Sequence, residues 1–317
     1  MGEKMDLPDN YQRHVRLGKL AANQQQWAAA ITHFEAAYQL EQRFSLNLLL
    51  ASVLVENHQL KAALAIMQEK EADYLAYHDL TGFYIAVLLA NHCFVEANHL
   101  WQANWPQMQK DPQQRQFWQT VKQSIERGQL QYQKQAATKI KTVQQALYSL
   151  ADKTLTEQMQ ILNQAKQLPQ TAYLTGVMPV LVNPYVHPFV KSTVLEELVR
   201  LQVEKPVPVN WFTQTRTVVP QTLPTLAENP TIQAVSQAVQ QALIAEPVLA
   251  EQIGETVQLY LACLYPFETE VVKDISEWAN LFLTELGLPV TKGHAEISEN
   301  ARHWFHQLQE IVNELMV

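Results

Sequence analysis

Apolar residues recur at helical spacing along most of the 317-residue chain, and prolines gather where that spacing stops. None of the 15 prolines lies between Pro8 and Pro106, whereas 12 lie beyond residue 165. Proline inside a helix removes a hydrogen bond and clashes with the preceding turn, at about 3 kcal/mol. The proline-free stretch therefore permits uninterrupted helices, and within it Ala30, Phe34 and Ala37, then Leu50, Leu54 and Val55, recur at helical intervals. Phe117, Val121 and Ile125 continue the pattern, as do Ile140, Val143, Leu147 and Leu150, with Gly128 a candidate break between the two sets. Residues 177–198 read as helix, proline-punctuated loop, helix. From Pro206 to Pro220 the texture is β-like: Val207, Val209, Trp211, Phe212, Thr215, Thr217 and Val218 predict a short hairpin whose prolines sit at edges or ends. Asn229-Pro230 and Pro247 then read as helix starts. Val271–Leu286 reads as a helix stopped by Gly287, with Pro289 beyond, and Ile297–Leu315 as a last amphipathic helix.

A period runs through the first third. Ala30–Phe34–Ala37, Ala63–Met67–Lys70 and Ala97–Trp101–Asn104 begin 33 and then 34 residues apart. Each follows a bulky residue (Trp27, Leu60 or Phe94) and an upstream helix carrying Leu17–Gly18, Leu50–Ala51 or Tyr84–Ile85. A small residue lets the second helix approach the first, and the large residue four places on fills the groove toward the next pair. This arrangement resembles the tetratricopeptide repeat, most closely from Tyr11 to Gln42. Two features depart from the family: Ile85 stands where a small residue is usual, and no proline closes any repeat. The loop and helix around Val190, Lys191, Leu195 and Leu198 resemble one unit of a HEAT repeat. The expected fold is all-α, with helical repeats over 8–106, a basic, glutamine-rich helical connector over 107–168, and an α-helical domain with a small hairpin near 206–220 over 169–317.

Composition narrows the chemistry. Only 8 glycines occur, none closer together than Gly287 and Gly293, so no G-x-G-x-x-G, G-x-x-x-x-G-K-[ST] or G-x-S-x-G motif exists. Thirty-eight glutamines carry much of the polarity. The net charge of -8 argues against a nucleic-acid binder as a whole, yet it conceals +5 over residues 110–166 between segments of -4 and -9. Cys93 and Cys263, far apart, fit a reducing compartment, and both read as small packed hydrophobes. The charged start from Met1 to Asn10 lacks an apolar signal region, and no apolar run approaches the roughly 20 residues of a membrane span. A cytoplasmic protein with no membrane partner is expected.

Three sets of residues are candidates for function. Glu299, His303, His306 and Glu310 share one face of the last helix and have the chemistry of divalent-metal ligands. The opposite seam of Ile297, Ala301, Trp304, Leu308, Ile311 and Leu315 makes that stripe read as an ordinary solvated face, and no H-E-x-x-H occurs. His187, between Pro184 and Pro188, reads as a loop-shaping residue. Arg127, Lys134 and Lys141 are spaced seven apart and would form one slowly drifting stripe on a continuous helix, and Arg115 and Lys122 repeat the interval; such a basic stripe suits phosphates or an acidic protein surface.

The third set comes from the resemblance, which implies a groove lined by Gln12, Val15, Lys19 and Asn23, by Ser45, Leu48, Ser52 and Val55, and by Asp79, Gly82, Ala86 and Leu89. Only Lys19 and Asn23 match the polar pattern of a carboxylate clamp, so the groove is expected to take an apolar helix or strand, either a partner's or the chain's own next helix. The chain is similar to bacterial tetratricopeptide proteins without an assigned catalytic activity. That resemblance implies a non-enzymatic adaptor or scaffold, with no cofactor and no catalytic residues, binding a protein or peptide. The alternatives are a nucleic-acid-associated factor using the basic segment and a metal-dependent enzyme using the His/Glu helix.

Overall fold

The structure, a computed structural model, describes residues 11–285, 287–288 and 297–314. The chain is all-α with one small antiparallel hairpin, and it divides into two compact units between Gln135 and Ala136. That division splits the 107–168 stretch, one part going with each unit.

The first unit is a succession of helix hairpins: α1 (Tyr11–Asn23) with α2 (Trp27–Leu40), α3 (Phe44–Glu56) with α4 (Leu60–Gln68), and α6 (His78–Ala90) with α7 (Phe94–Met108). A short α5 (Glu71–Leu75) precedes the third pair, and α8 (Pro112–Gln135) follows it. The turns inside the three pairs are copies of one another. Gln25, His58 and His92 each take a left-handed conformation, with φ of 58°, 60° and 61°. The next residue in each turn, Gln26, Gln59 or Cys93, donates its backbone N–H to the carbonyl of Ala21, Leu54 or Leu88, at 2.9 Å in every case. This is the i to i−5 bond of a helix ending in a left-handed residue. Glycine would serve there without strain; here glutamine and histidine do.

Each turn leads to an alanine with no exposed surface: Ala30, Ala63 and Ala97. Phe34 and Met67, four places on, are equally buried, and the Phe34 ring lies so close to Gly18 that a Cβ there would stand 2.5 Å from it. The third pair differs as its sequence suggests. Ile85 is buried where Gly18 and Ala51 stand in the others, and Trp101 is half-buried, its indole donating to the Trp118 carbonyl on α8 at 2.8 Å. Between the first two pairs runs a buried polar tie. Asn47 donates to the Tyr38 hydroxyl and the Ile66 carbonyl and accepts from Tyr74, while Tyr38 donates to Glu69. Helix α8 covers the third pair with Trp118 and Ile125, neither of which has any exposed surface. It runs straight through Gly128, so the break expected there is absent; the helix ends at Gln135 and restarts at Ala137. A single glycine costs about 1 kcal/mol in a helix, and packing along the rest of α8 overrides it.

The second unit begins with α9 (Ala137–Tyr148), α10 (Leu155–Ala165), α11 (Gln170–Val182) and α12 (Pro188–Arg200). The hairpin of β1 (Val207–Trp211) and β2 (Gln214–Val218) pairs Trp211 with Gln214 around a two-residue turn. It directs Val207, Val209 and Trp211 inward, and the Trp211 indole donates to the Leu264 carbonyl at 2.9 Å. Then come α13 (Pro230–Ala242), α14 (Pro247–Ala262), α15 (Glu268–Val271), α16 (Ile275–Glu285) and α17 (Glu299–Asn313). Asn229 caps α13 by accepting from the Thr231 and Ile232 amides, with Pro230 at its start, as its sequence indicates. The helix expected from Val271 starts later, at Ile275, because Val271 ends α15 and Asp274 caps a fresh start by accepting from Ser276 and Glu277. Gly287, at φ 68°, is the left-handed stop that was expected. Leu286, Pro289 and Leu315 lie outside the described residues, as does the start of the 8–106 span before Tyr11.

The glycines supply a test of this packing. Gly18→Ala drives a methyl into the Phe34 ring and is expected to destabilise the chain by ~1–3 kcal/mol. Gly128→Ala meets its nearest neighbour, Phe94, at an ordinary 3.5 Å. It is expected to stabilise by ~0.5–1 kcal/mol through helix propensity. Denaturant midpoints moving in opposite directions for the two variants are the expected result.

Candidate functional site

The groove positions implied by the repeat pattern fall into three groups. Gln12, Lys19, Asn23, Ser45, Asp79 and Ala86 are exposed. Val15, Leu48, Val55 and Leu89 are half-buried and rest on the core of the first unit. Ser52 returns its hydroxyl to the Leu48 carbonyl at 2.7 Å, which leaves its position small and apolar in effect. Gly82 is covered by the chain itself, because Phe117 of α8 lies against it and a Cβ there would meet the ring at 2.5 Å. Phe117 thus takes up the space at Gly82 itself.

The basic residues do not form one stripe. Arg115, Lys122, Arg127 and Lys134 are on α8, whereas Lys141 stands on α9, beyond the break and in the other unit. Lys122 is turned inward, 4.6 Å from the centre of the Trp101 ring and hydrogen-bonded to Asn98 at 3.3 Å. Burial pulls its pKa below the ordinary lysine value. Arg115 donates to the Gln109 carbonyl at 2.8 Å, an arrangement that serves the α7–α8 turn. Lys122 thus behaves as a cation stacked on an indole, with its ammonium away from any phosphate-binding surface.

On α17, Glu299, His303, His306 and Glu310 are exposed, and His306 lies 3.4 Å from Gln309. Among the described residues no group of three or more His, Cys, Asp or Glu side chains converges on a point where a metal could sit. Ala301 and Leu308 of the expected seam are buried, while Ile297, Trp304 and Ile311 are half-buried. Phe305 and Val312 join the seam: the Phe305 ring meets those of Phe282 and Tyr260 at 5.0 and 5.3 Å between centroids.

His187 acts as a brace. Its Nδ1 accepts the Phe189 amide at 3.1 Å to cap α12, and its Nε2 lies 3.1 Å from the Ile311 carbonyl. The proton therefore sits on Nε2, and burial holds the ring's pKa below its usual value. One turn further along α12, Lys191 is only 6% exposed and donates to both the carbonyl and the side-chain oxygen of Asn210 on β1, at 3.1 and 2.9 Å. Burial raises the thiols of Cys93 and Cys263 to about 11 and about 12, which leaves neither a ready nucleophile near neutral pH.

Local sequence gave no sign of a cavity in the second unit lined by Phe189, Glu196, Leu226, Ile232, Glu255 and Leu259. These residues come from segments up to seventy positions apart and follow no shared spacing. Among the described residues no helix is long and apolar enough to cross a membrane. Compared with protein-family models, with curated proteins and with solved structures, the chain matches none.

Burial pushes the Lys191 ammonium from 10.5 down to about 8. The unfolded chain therefore holds that proton more strongly, so the lysine's penalty is complete below the folded value and lifts as pH rises through the interval. Lys191→Met is expected to flatten the rise in stability between about pH 8 and 10, as read from urea midpoints at the two ends.

Proposed function

We propose that this chain is a non-catalytic interaction module whose first unit is built of tetratricopeptide-like repeats. It would serve as a cytosolic adaptor or scaffold that takes a peptide segment or helix of a partner protein. The observation that carries this reading is the repeated hairpin: three left-handed turns at Gln25, His58 and His92, each leading to a fully buried alanine. Stacked copies of one hairpin present the same face of each first helix in register. Here that face offers Val15, Leu48, Val55 and Leu89 as half-buried apolar ground, with small Ser52 and Ala86 among them. A partner's apolar side chains would be buried there, with little charge to grip a terminal carboxylate. The uneven charge along the chain would steer the encounter more than it would hold the complex.

Ala86→Glu tests this directly, because Ala86 is exposed and the change leaves the core alone. Leu48→Glu places a charge on the half-buried ground of the second pair. Affinity capture from the native host, read by mass spectrometry, is expected to recover a partner with the unaltered chain. Both variants should lose it while keeping their helical circular dichroism. Capture of the same partner at undiminished level by a folded Ala86→Glu variant would place the interaction elsewhere.

A further inference from the structure

The second unit holds a cavity of about 350 Å3 between α12, the segment before α13, and the helices α13 and α14. Its walls are largely apolar: Phe189, Leu226, Ile232, Leu259 and Ala262. Its charged lining is of one sign only, Glu196 and Glu255, and no Lys, Arg or His side chain joins them. Glu196 is tied to Arg200 one turn along α12 at 2.9 Å. Glu255 is exposed and has no ion-pair partner among the described residues.

Behind the lining, a second carboxylate shares a neighbour with Glu196. Tyr265 donates its hydroxyl to the Pro224 carbonyl at 2.7 Å, and the carboxylates of Glu196 and Glu268 both bear on its phenol. Glu268 is only 4% exposed; one of its oxygens accepts from Asn229, while the other has no donor. Glu255 and Glu196 in the wall of an apolar space favour a cation there and repel an anion, and low-dielectric walls strengthen both effects. The size lies within the range of small-molecule sites, in which apolar walls hold the body and a few polar groups fix orientation.

We propose that this cavity binds a small hydrophobic amine, its ring or alkyl body against Phe189, Ile232 and Leu259 and its ammonium between Glu255 and Glu196. The site lies in the second unit and is independent of the repeat face, so the failure of one reading leaves the other standing.

Calorimetric titration of the full chain with 2-phenylethylamine, 2-phenylethanol and 3-phenylpropionate separates body from charge. The amine is expected to bind at least about tenfold more tightly than the carboxylate, with the alcohol between them and the preference shrinking as salt is added. Glu255→Gln is expected to reduce the amine's advantage several-fold with unchanged circular dichroism, because the residue is exposed and supports no fold contact. Leu259→Trp is expected to abolish binding of all three by filling the space. Equal binding of amine and carboxylate, no binding of the amine at millimolar concentration, or full amine affinity in Glu255→Gln would each overturn the proposal.

Discussion

The first unit depends on how closely two helices can approach when one presents almost no side chain. At Ala30, Ala63 and Ala97 the second helix of each pair carries a methyl group and nothing more, and all three are sealed from solvent. The tightness of that contact dictates the rest. It requires a sharp reversal only a few residues earlier, which a left-handed residue supplies, and it leaves room for one large side chain a turn later. Left-handed backbone costs a residue with a Cβ roughly 1–2 kcal/mol. Three such turns persist without glycine because the hydrogen bonds at Gln26, Gln59 and Cys93 and the buried alanines beyond them over-determine the conformation.

Where the sequence was legible, one position carried one constraint. The spacing of alanines and large residues exposed the hairpins, Asn229-Pro230 marked a helix start, and alternating valines with a tryptophan marked the strand Val207–Trp211. It was less legible where two weak signals competed. Gly128 looked like a break, yet Trp118, Ile125 and Tyr132 bury one face of α8 on either side of it, and that packing outweighs a glycine. Asp274 caps α16, but apolar residues run on at helical spacing across it and hide the new start. The cavity of the second unit was beyond reach, since buried Ile232 and half-buried Phe189 and Leu259 each read as ordinary apolar positions of their own helices.

Charge is used economically within both units. Lys122 lies over an indole, and Lys191 gives up much of its hold on a proton to bind Asn210. Arg216 lies over the rings of Trp211 and Phe267 while pairing with Glu270, which fastens the hairpin to α15. Each of these cations would be counted from sequence as available to a polyanion. Each is instead committed to the fold, and Lys122, the one of the three within residues 110–166, is thereby taken from the basic excess counted there.

The placement of Phe117 on Gly82 has a consequence for assembly. A stack of identical hairpins ends in a face shaped to receive another hairpin, and copies of such a chain can add head to tail into open filaments. Here α8 covers the third pair from within the same molecule, with Trp118 and Ile125 sealed from solvent and the Phe117 ring set into the gap at Gly82. That cover takes up surface on the third pair which a hairpin of another copy would need.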